Sequence, residues 1–192
     1  KVISVANHYL KNHVVTNGEF GMIKQVLSEP EVITVVLRKK GELGLTETIR
    51  VELCFREVEL GFRNEYGEVT FFKSKIVENL LYNDEPTLSS DENKALYVDF
   101  RNRHPHLLTN SKRVEFKEAL LNDPYFNAFK LKFGYAITCH KAQGSEWNQV
   151  FLKCSSHHKT LTKDYFRWLY TAITRASAQL FVIDEPHIKL GS

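Results

Sequence analysis

From Phe129 onward the sequence alternates apolar and polar runs in one order: strand, polar turn, strand, helix, strand. No other feature of the chain constrains the fold as much. Residues 134–137 are apolar and read as the end of a buried strand. Thr138, Cys139, His140, Lys141, Ala142, Gln143, Gly144, Ser145 and Glu146 then form a polar connection around one glycine. Residues 147–152 return to strand character, 163–176 read as a helix, and 178–183 close as a strand. Strands separated by a helix predict a parallel sheet, because parallel neighbours need a long crossover. In such sheets ligands sit outside the carboxyl ends of the strands. Phe166, Leu169, Tyr170 and Ile173 fall at i, i+3, i+4 and i+7, which predicts the buried face of the helix. Trp168, Thr171 and Arg175 are expected on the opposite face.

The first half of the chain has a different period. Residues 2–6 form a short apolar run, and Asn17-Gly18 reads as a turn into a strand over 20–27. Residues 32–37 are β-branched and end at a charged turn, Arg38-Lys39-Lys40-Gly41. Ile49, Val51, Leu53 and Phe55 alternate with Arg50, Glu52 and Cys54, the pattern of a strand with one buried face. Residues 69–72 read as a further strand. Several short strands divided by glycine turns predict a small barrel. Ser89 and Glu92 then offer a capping box ahead of a helix carrying Ala95, Leu96, Val98 and Phe100, which should stop before Pro105. A second helix, with Val114, Ala119, Leu120 and Leu121, is expected from 109–111 to Asp123-Pro124. The predicted organisation is a mostly β segment over 1–80 with a short leading strand, a helical connector over 81–128, and an α/β segment over 129–192.

Composition narrows the class. A hydrophobic fraction of 43% in 192 residues supports a real core and argues against global disorder. The net charge of +3 is compatible with nucleic-acid contact without being evidence for it. Cys54, Cys139 and Cys154 are too few and too scattered for a disulfide framework, so a reducing, cytoplasmic setting is expected. No apolar run approaches the roughly 20 residues that span a bilayer. A first residue of Lys1 rather than Met reads as part of a longer chain.

Two stretches carry a family resemblance. "YAITCHKAQGSEW" (135–147) and "RWLYTAITRASAQLFVI" (167–183) resemble motifs V and VI of superfamily 1 helicases, in the form written by the RecD-like branch. They occur in the order that branch uses. The stretch "NHYLKNHVVTNGEFG" is more weakly similar to the start of its SH3-like insertion. The resemblance implies a UvrD-like helicase C-terminal domain, the second RecA-like domain of a DNA helicase or exodeoxyribonuclease V alpha-subunit-like protein of DNA repair. Its fold would be α/β: a RecA-like parallel sheet, a partial P-loop NTPase fold without the P-loop, with a small SH3-like β-barrel inserted.

The resemblance also assigns roles. Arg175 falls at the arginine finger, Gln143 and Gly144 at the nucleotide phosphates, and Glu146 at the ribose. Thr138, His140 and Lys141 fall at the backbone of single-stranded DNA. The chemistry suits these roles: arginine stays protonated and offers a rigid fork of donors. Glycine admits close backbone approach, and hydroxyl, imidazole and ammonium groups bind phosphate without reading sequence. From helical phase alone, Arg175 reads instead as a solvated arginine near a helix C-terminus. Thr138 and His140 alone read as a polar turn capping a short helix, and Lys141 as a surface lysine.

The chain contains no G-x-x-x-x-G-K-[ST] loop and no convincing acidic magnesium motif. ATP and Mg2+ are therefore expected only in the parent helicase, with the Mg2+ ligands on the missing first RecA-like domain, and the segment alone is expected to be inactive. The competing class is a non-enzymatic nucleic-acid-binding or protein-interaction domain that retains helicase-like motifs. No metal site is expected, although Cys154, His157 and His158 have plausible ligand spacing. On the β segment, Lys11, Arg38, Lys39 and Lys40 would face phosphate and Tyr9 or Phe20 would stack on bases. The other readings of that segment are a module that binds a partner peptide in an aromatic groove, and Tyr9 and Phe20 as plain core residues.

Overall fold

Residues 1–10, 14–40, 46–154 and 162–186 are described by the computed structural model. They fall into two compact units, residues 1–135 and 136–192. In the first unit the strands are β1 (Val2–Ser4), β2 (His8–Tyr9), β3 (Val14–Val15), β4 (Phe20–Val26), β5 (Glu31–Lys40), β6 (Thr46–Arg63), β7 (Val69–Val77) and β8 (Leu131–Phe133). Its helices are α1 (Glu78–Tyr82), α2 (Ser90–Arg103) and α3 (Arg113–Asn122). The second unit holds β9 (Trp147–Lys153), α4 (Lys163–Ile173) and β10 (Ala176–Ile183).

The long strand β6 organises the first unit. A curled six-stranded sheet runs β5-β6-β4-β1-β8, with β7 also on β6. Phe55 pairs with Glu31 of β5 and with Val77 of β7, while Leu60 pairs with Ile23 of β4 and Phe72 of β7. Thus β5 and β4 follow one another along one edge of β6, and β7 occupies the other. The predicted alternation is present: Val51, Leu53 and Phe55 are buried. Beyond Phe55 the buried set becomes Val58, Leu60 and Phe62, so the inward parity changes although pairing with β7 stays in register. A one-residue change of parity turns the other face inward. The two halves of β6 therefore serve two cores. Val51, Leu53 and Phe55 pack with Leu80, Ala95 and Leu96 of the helices, and Val58, Leu60 and Phe62 pack with Val2, Val15 and Leu131.

β5 continues to Lys40, past the charged turn expected at Arg38. α2 starts at the predicted capping box: Ser89 Oγ accepts from the Glu92 N–H, and Glu92 Oε2 accepts from the Ser89 N–H. It stops at Arg103, before Pro105. α3 buries none of its side chains, and Val114 and Leu121 stand in solvent rather than in the core. Behind α2, Arg103 grips Asp123 through both terminal nitrogens at 2.6 and 2.9 Å and Asp99 through Nε at 2.8 Å.

In the second unit β9 and β10 pair in parallel, joined by the crossover helix α4. Two expectations are corrected here. Residues 134–137 form no strand: β8 ends at Phe133 and pairs antiparallel with β1. Tyr135 is exposed, with its ring stacked at 6.0 Å on Phe133. The inward face of α4 is also different. Tyr165 and Ala172 are buried, and Trp168 and Leu169 pack on Leu152, Cys154 and Ala172, whereas Phe166, Tyr170 and Ile173 are exposed. Both stripes have helical spacing. The Tyr165 hydroxyl donates to the Cys154 carbonyl at 2.9 Å, a bond only the inward stripe can make.

Candidate functional site

The connection ahead of β9 is a tight, self-bonded turn. Residues Cys139–Ala142 form one 3-10 turn, and Thr138 caps it, its Oγ1 accepting from the Lys141 N–H at 3.4 Å. The Thr138 carbonyl accepts from the Ala142 N–H at 3.1 Å, and the Ala142 carbonyl accepts from the Ser145 N–H at 3.2 Å. Closing the bend requires Gly144 at φ +80°, a left-handed angle that side chains resist. No atom lies within 4 Å of where a Cβ would stand there, so backbone conformation alone calls for glycine. His140, Lys141, Gln143, Gly144 and Glu146 are all exposed.

Arg175 lies just beyond α4, not on it. The helix ends at Ile173 and Thr174 caps it, so the phase argument does not apply to Arg175. Its position is fixed by backbone instead. The Arg175 N–H donates to the Ala172 carbonyl, and the Arg175 carbonyl accepts from the Trp147 N–H at 3.0 Å, just before Ala176 pairs with Trp147. Its guanidinium is half-buried. Nε donates to the Thr171 carbonyl at 3.1 Å, Nη1 to the Ser145 carbonyl at 3.2 Å, and Nη2 to Thr174 Oγ1 at 3.1 Å. All three acceptors are neutral. A guanidinium has five N–H donors, so two remain beyond these bonds, and no carboxylate among the described residues neutralises the charge.

Arg175 and the Gly144 bend therefore share one rim. It lies at the amino ends of β9 and β10, whereas the general rule for open α/β sheets led to the carboxyl ends. The reason is sequential: the bend runs directly into Trp147 and Arg175 directly into Ala176. Arg175 is tied to the residue after Gly144, while Thr138, His140 and Lys141 lie earlier in the same connection with no bond to the guanidinium. The Thr138 hydroxyl serves the turn, as its reading from residues alone proposed.

Ser145, Thr171 and Thr174 hold the guanidinium; of these only Thr171 is placed beside Arg175 by the sequence, through the helix face they were expected to share. Thr171 and Thr174 stand four and one residues before Arg175, which is the available signal; the Ser145 contact is long-range and leaves none. Cys139 packs beside them, its thiol donating to the Trp168 carbonyl at 3.6 Å. Burial pushes that thiol up, and the opposing pull of Arg175 is smaller, so it is no activated nucleophile. Burial likewise pushes the Cys154 thiol up, with Glu185 and Asp184 adding to the effect. Among the described residues no three His, Cys, Asp or Glu side chains converge as metal ligands. His157 and His158 lie outside the described residues, as does Lys11. On the first unit, Lys39 is paired with Asp91 at 2.6 Å, and Lys1 Nζ stands 4.5 Å over the Phe20 ring.

Residues 133–183 match the UvrD-like helicase C-terminal domain. The match spans the whole rim, from before Thr138 to the end of β10. The chain is also 29% identical over 168 residues to the ATP-dependent RecD2 DNA helicase of Deinococcus radiodurans, covering 83% of this chain and 21% of that protein. It is 40% identical over 68 residues to the uncharacterized protein MJ1519 of Methanocaldococcus jannaschii, covering 35% of this chain and 6% of that protein. The chain spans about a fifth of the length of its RecD2 relative. Among the described residues no helix is long and apolar enough to cross a membrane.

Proposed function

We propose that this chain is the second motor half of an ATP-dependent superfamily 1 DNA helicase, composed of a RecA-like α/β half and an inserted SH3-like barrel. Arg175 acts as the arginine finger toward a nucleotide held by a first RecA-like half. Gln143, Gly144 and Glu146 face that nucleotide, and Thr138, His140 and Lys141 contact single-stranded DNA. The observation that supports this reading is the bond from Arg175 to the Ser145 carbonyl, which sets an uncompensated cation beside an open glycine bend.

The residues present fit a polyphosphate. Two spare guanidinium donors and a backbone without a Cβ can both approach phosphate oxygens. They do not supply a magnesium site, which the proposal assigns to the other half, along with the phosphate loop this sequence lacks. Bound ATP supplies the free energy of phosphoryl transfer. This chain's contribution is charge placed where negative charge develops, a role worth about 10³–10⁵ in rate among nucleotide hydrolases. His140 and Lys141 stand on the same short turn as the nucleotide-facing bend. A shift of that turn would couple nucleotide state to the hold on DNA.

The DNA half of the proposal is tested with labelled oligothymidylate and the complete helicase. Lys141→Ala should weaken binding and lower the slope of log affinity against log salt by roughly 0.7, one single-strand phosphate contact. An unchanged slope would remove Lys141 from the DNA path.

A further inference from the structure

The first unit carries a groove, outside the UvrD-like match, that the helicase reading does not use. It holds about 590 Å3 between β5 and α2, and Val36, Leu37, Arg38, Lys94, Tyr97 and Val98 line it. Leu37 is buried beneath it, while Val36 is 53% and Tyr97 40% exposed. Its apolar surface is therefore open to solvent. β5 ends the strand order of its sheet, so one edge of this ten-residue strand pairs with β6 and the other pairs with no strand among the described residues. A long unpaired edge leaves backbone donors and acceptors ready for another extended chain. Such an edge is normally blunted by bulges, short length or charged side chains; β5 carries charge at its Arg38-Lys39-Lys40 end, yet it pairs with β6 through ten consecutive registers without a bulge.

The charges around the groove select the partner. Arg38 and Lys94 have no carboxylate partner among the described residues, and Arg101 stands 5.9 Å from the Tyr97 ring. Lys39 is already held by Asp91 at 2.6 Å. The groove is thus an apolar floor with cations on both walls, one from the strand and one from the helix, and an acidic group at one end. A nucleic-acid strand would set phosphates against Asp91 and leave the β5 backbone groups unmatched. An extended peptide with alternating acidic and apolar residues meets all three features. Its backbone pairs with β5, its apolar side chains turn to the α2 side and rest on Leu37 and Tyr97, and its carboxylates lie on the other face beside Arg38, with Lys94 adding to the attraction from the rim.

We propose that the β5 edge and the groove beside α2 bind an acidic, hydrophobic segment of a partner protein by strand addition. The test uses this chain and a labelled ten-residue peptide of alternating glutamate and isoleucine, followed by fluorescence anisotropy. Arg38→Glu and Lys94→Glu should each weaken binding at least fivefold, and together by more, with the circular dichroism spectrum unchanged. A peptide with lysine in place of glutamate should not bind. Hydrogen exchange of the β5 amides over 36–39 should slow when the acidic peptide is present. The proposal is overturned if the acidic peptide does not bind, if both charge reversals leave its affinity unchanged, or if exchange over 36–39 stays the same. It is equally overturned if oligothymidylate displaces the peptide and loses its own affinity in the same variants.

Discussion

The guanidinium of Arg175 donates to the carbonyl of Ser145 at 3.2 Å, across 30 residues of sequence. The reverse connection is made by backbone: the Trp147 N–H donates to the Arg175 carbonyl at 3.0 Å. These two bonds lock the approach to β9 against the approach to β10, so the two helicase-like motifs meet through bonds rather than by proximity alone. The bend they hold depends in turn on the left-handed backbone at Gly144.

Gly144→Ala isolates that dependence. Open space surrounds the site, so an added methyl meets nothing and the whole cost is backbone strain. A loss of about 1–2 kcal/mol is expected, with Gly144→Asn less damaging because asparagine enters this region more readily. Urea denaturation of both variants measures it. Equal loss for Asn and Ala would show that strain is not the cause.

Two other glycines should behave differently from each other. A Cβ at Gly21 would lie 2.7 Å from the buried Phe62 ring and 2.8 Å from the Gly61 carbonyl oxygen. One at Gly61 would lie 2.6 Å from the ring of Phe71, which is 42% exposed and can swing outward at the cost of its contact with Lys24. Gly21→Ala should therefore cost about 3 kcal/mol and Gly61→Ala about 1 kcal/mol, in the range seen for overpacked sites. Thermal unfolding of the two variants ranks them, and Phe71→Ala should relieve the second but not the first.

Stability should depend on pH through His8. The imidazole is buried and stacks on Phe129 at 3.9 Å, and its Nε2 accepts from the Lys130 N–H at 3.3 Å. Burial, with a smaller contribution from the Lys130 charge, pushes its pKa down from 6.5 to about 4. Between these values the unfolded chain binds the extra proton and the folded chain does not. The contribution is complete above about pH 6.5 and is lost as pH falls toward about 4, with a ceiling of about 3 kcal/mol. Urea unfolding between pH 7 and 4.5 should show this slope in the native chain, and His8→Phe should flatten it.

Much of this fold was legible where the cause is local. The Ser89–Glu92 box depends on residues three apart and gave the start of α2. The alternation from Ile49 to Phe55 gave the inward face of β6 up to the point where its partner core changes. Beyond Phe55 the parity is set by which layer covers each half of the strand, and no window of the sequence contains that information. The same holds for α4. Phe166 and Tyr165 both begin stripes of correct period, and the choice was made by Cys154 and Cys139 from elsewhere in the chain. At the rim, Gly144 and Arg175 stood out as motif residues. That Arg175 lies past the helix end, at the amino ends of the strands, followed from pairing Trp147 with Ala176, which only the folded chain reveals.

The proposed role of Arg175 toward a nucleotide is tested most directly by single-turnover ATP hydrolysis in the full-length protein, saturated with oligothymidylate. Arg175→Ala should slow the chemical step about 10³-fold or more, with nucleotide and DNA affinities changed no more than a few-fold. Arg175→Lys should recover little, since an ammonium cannot reproduce the fork of donors. Hydrolysis at the native rate in Arg175→Ala would contradict the account.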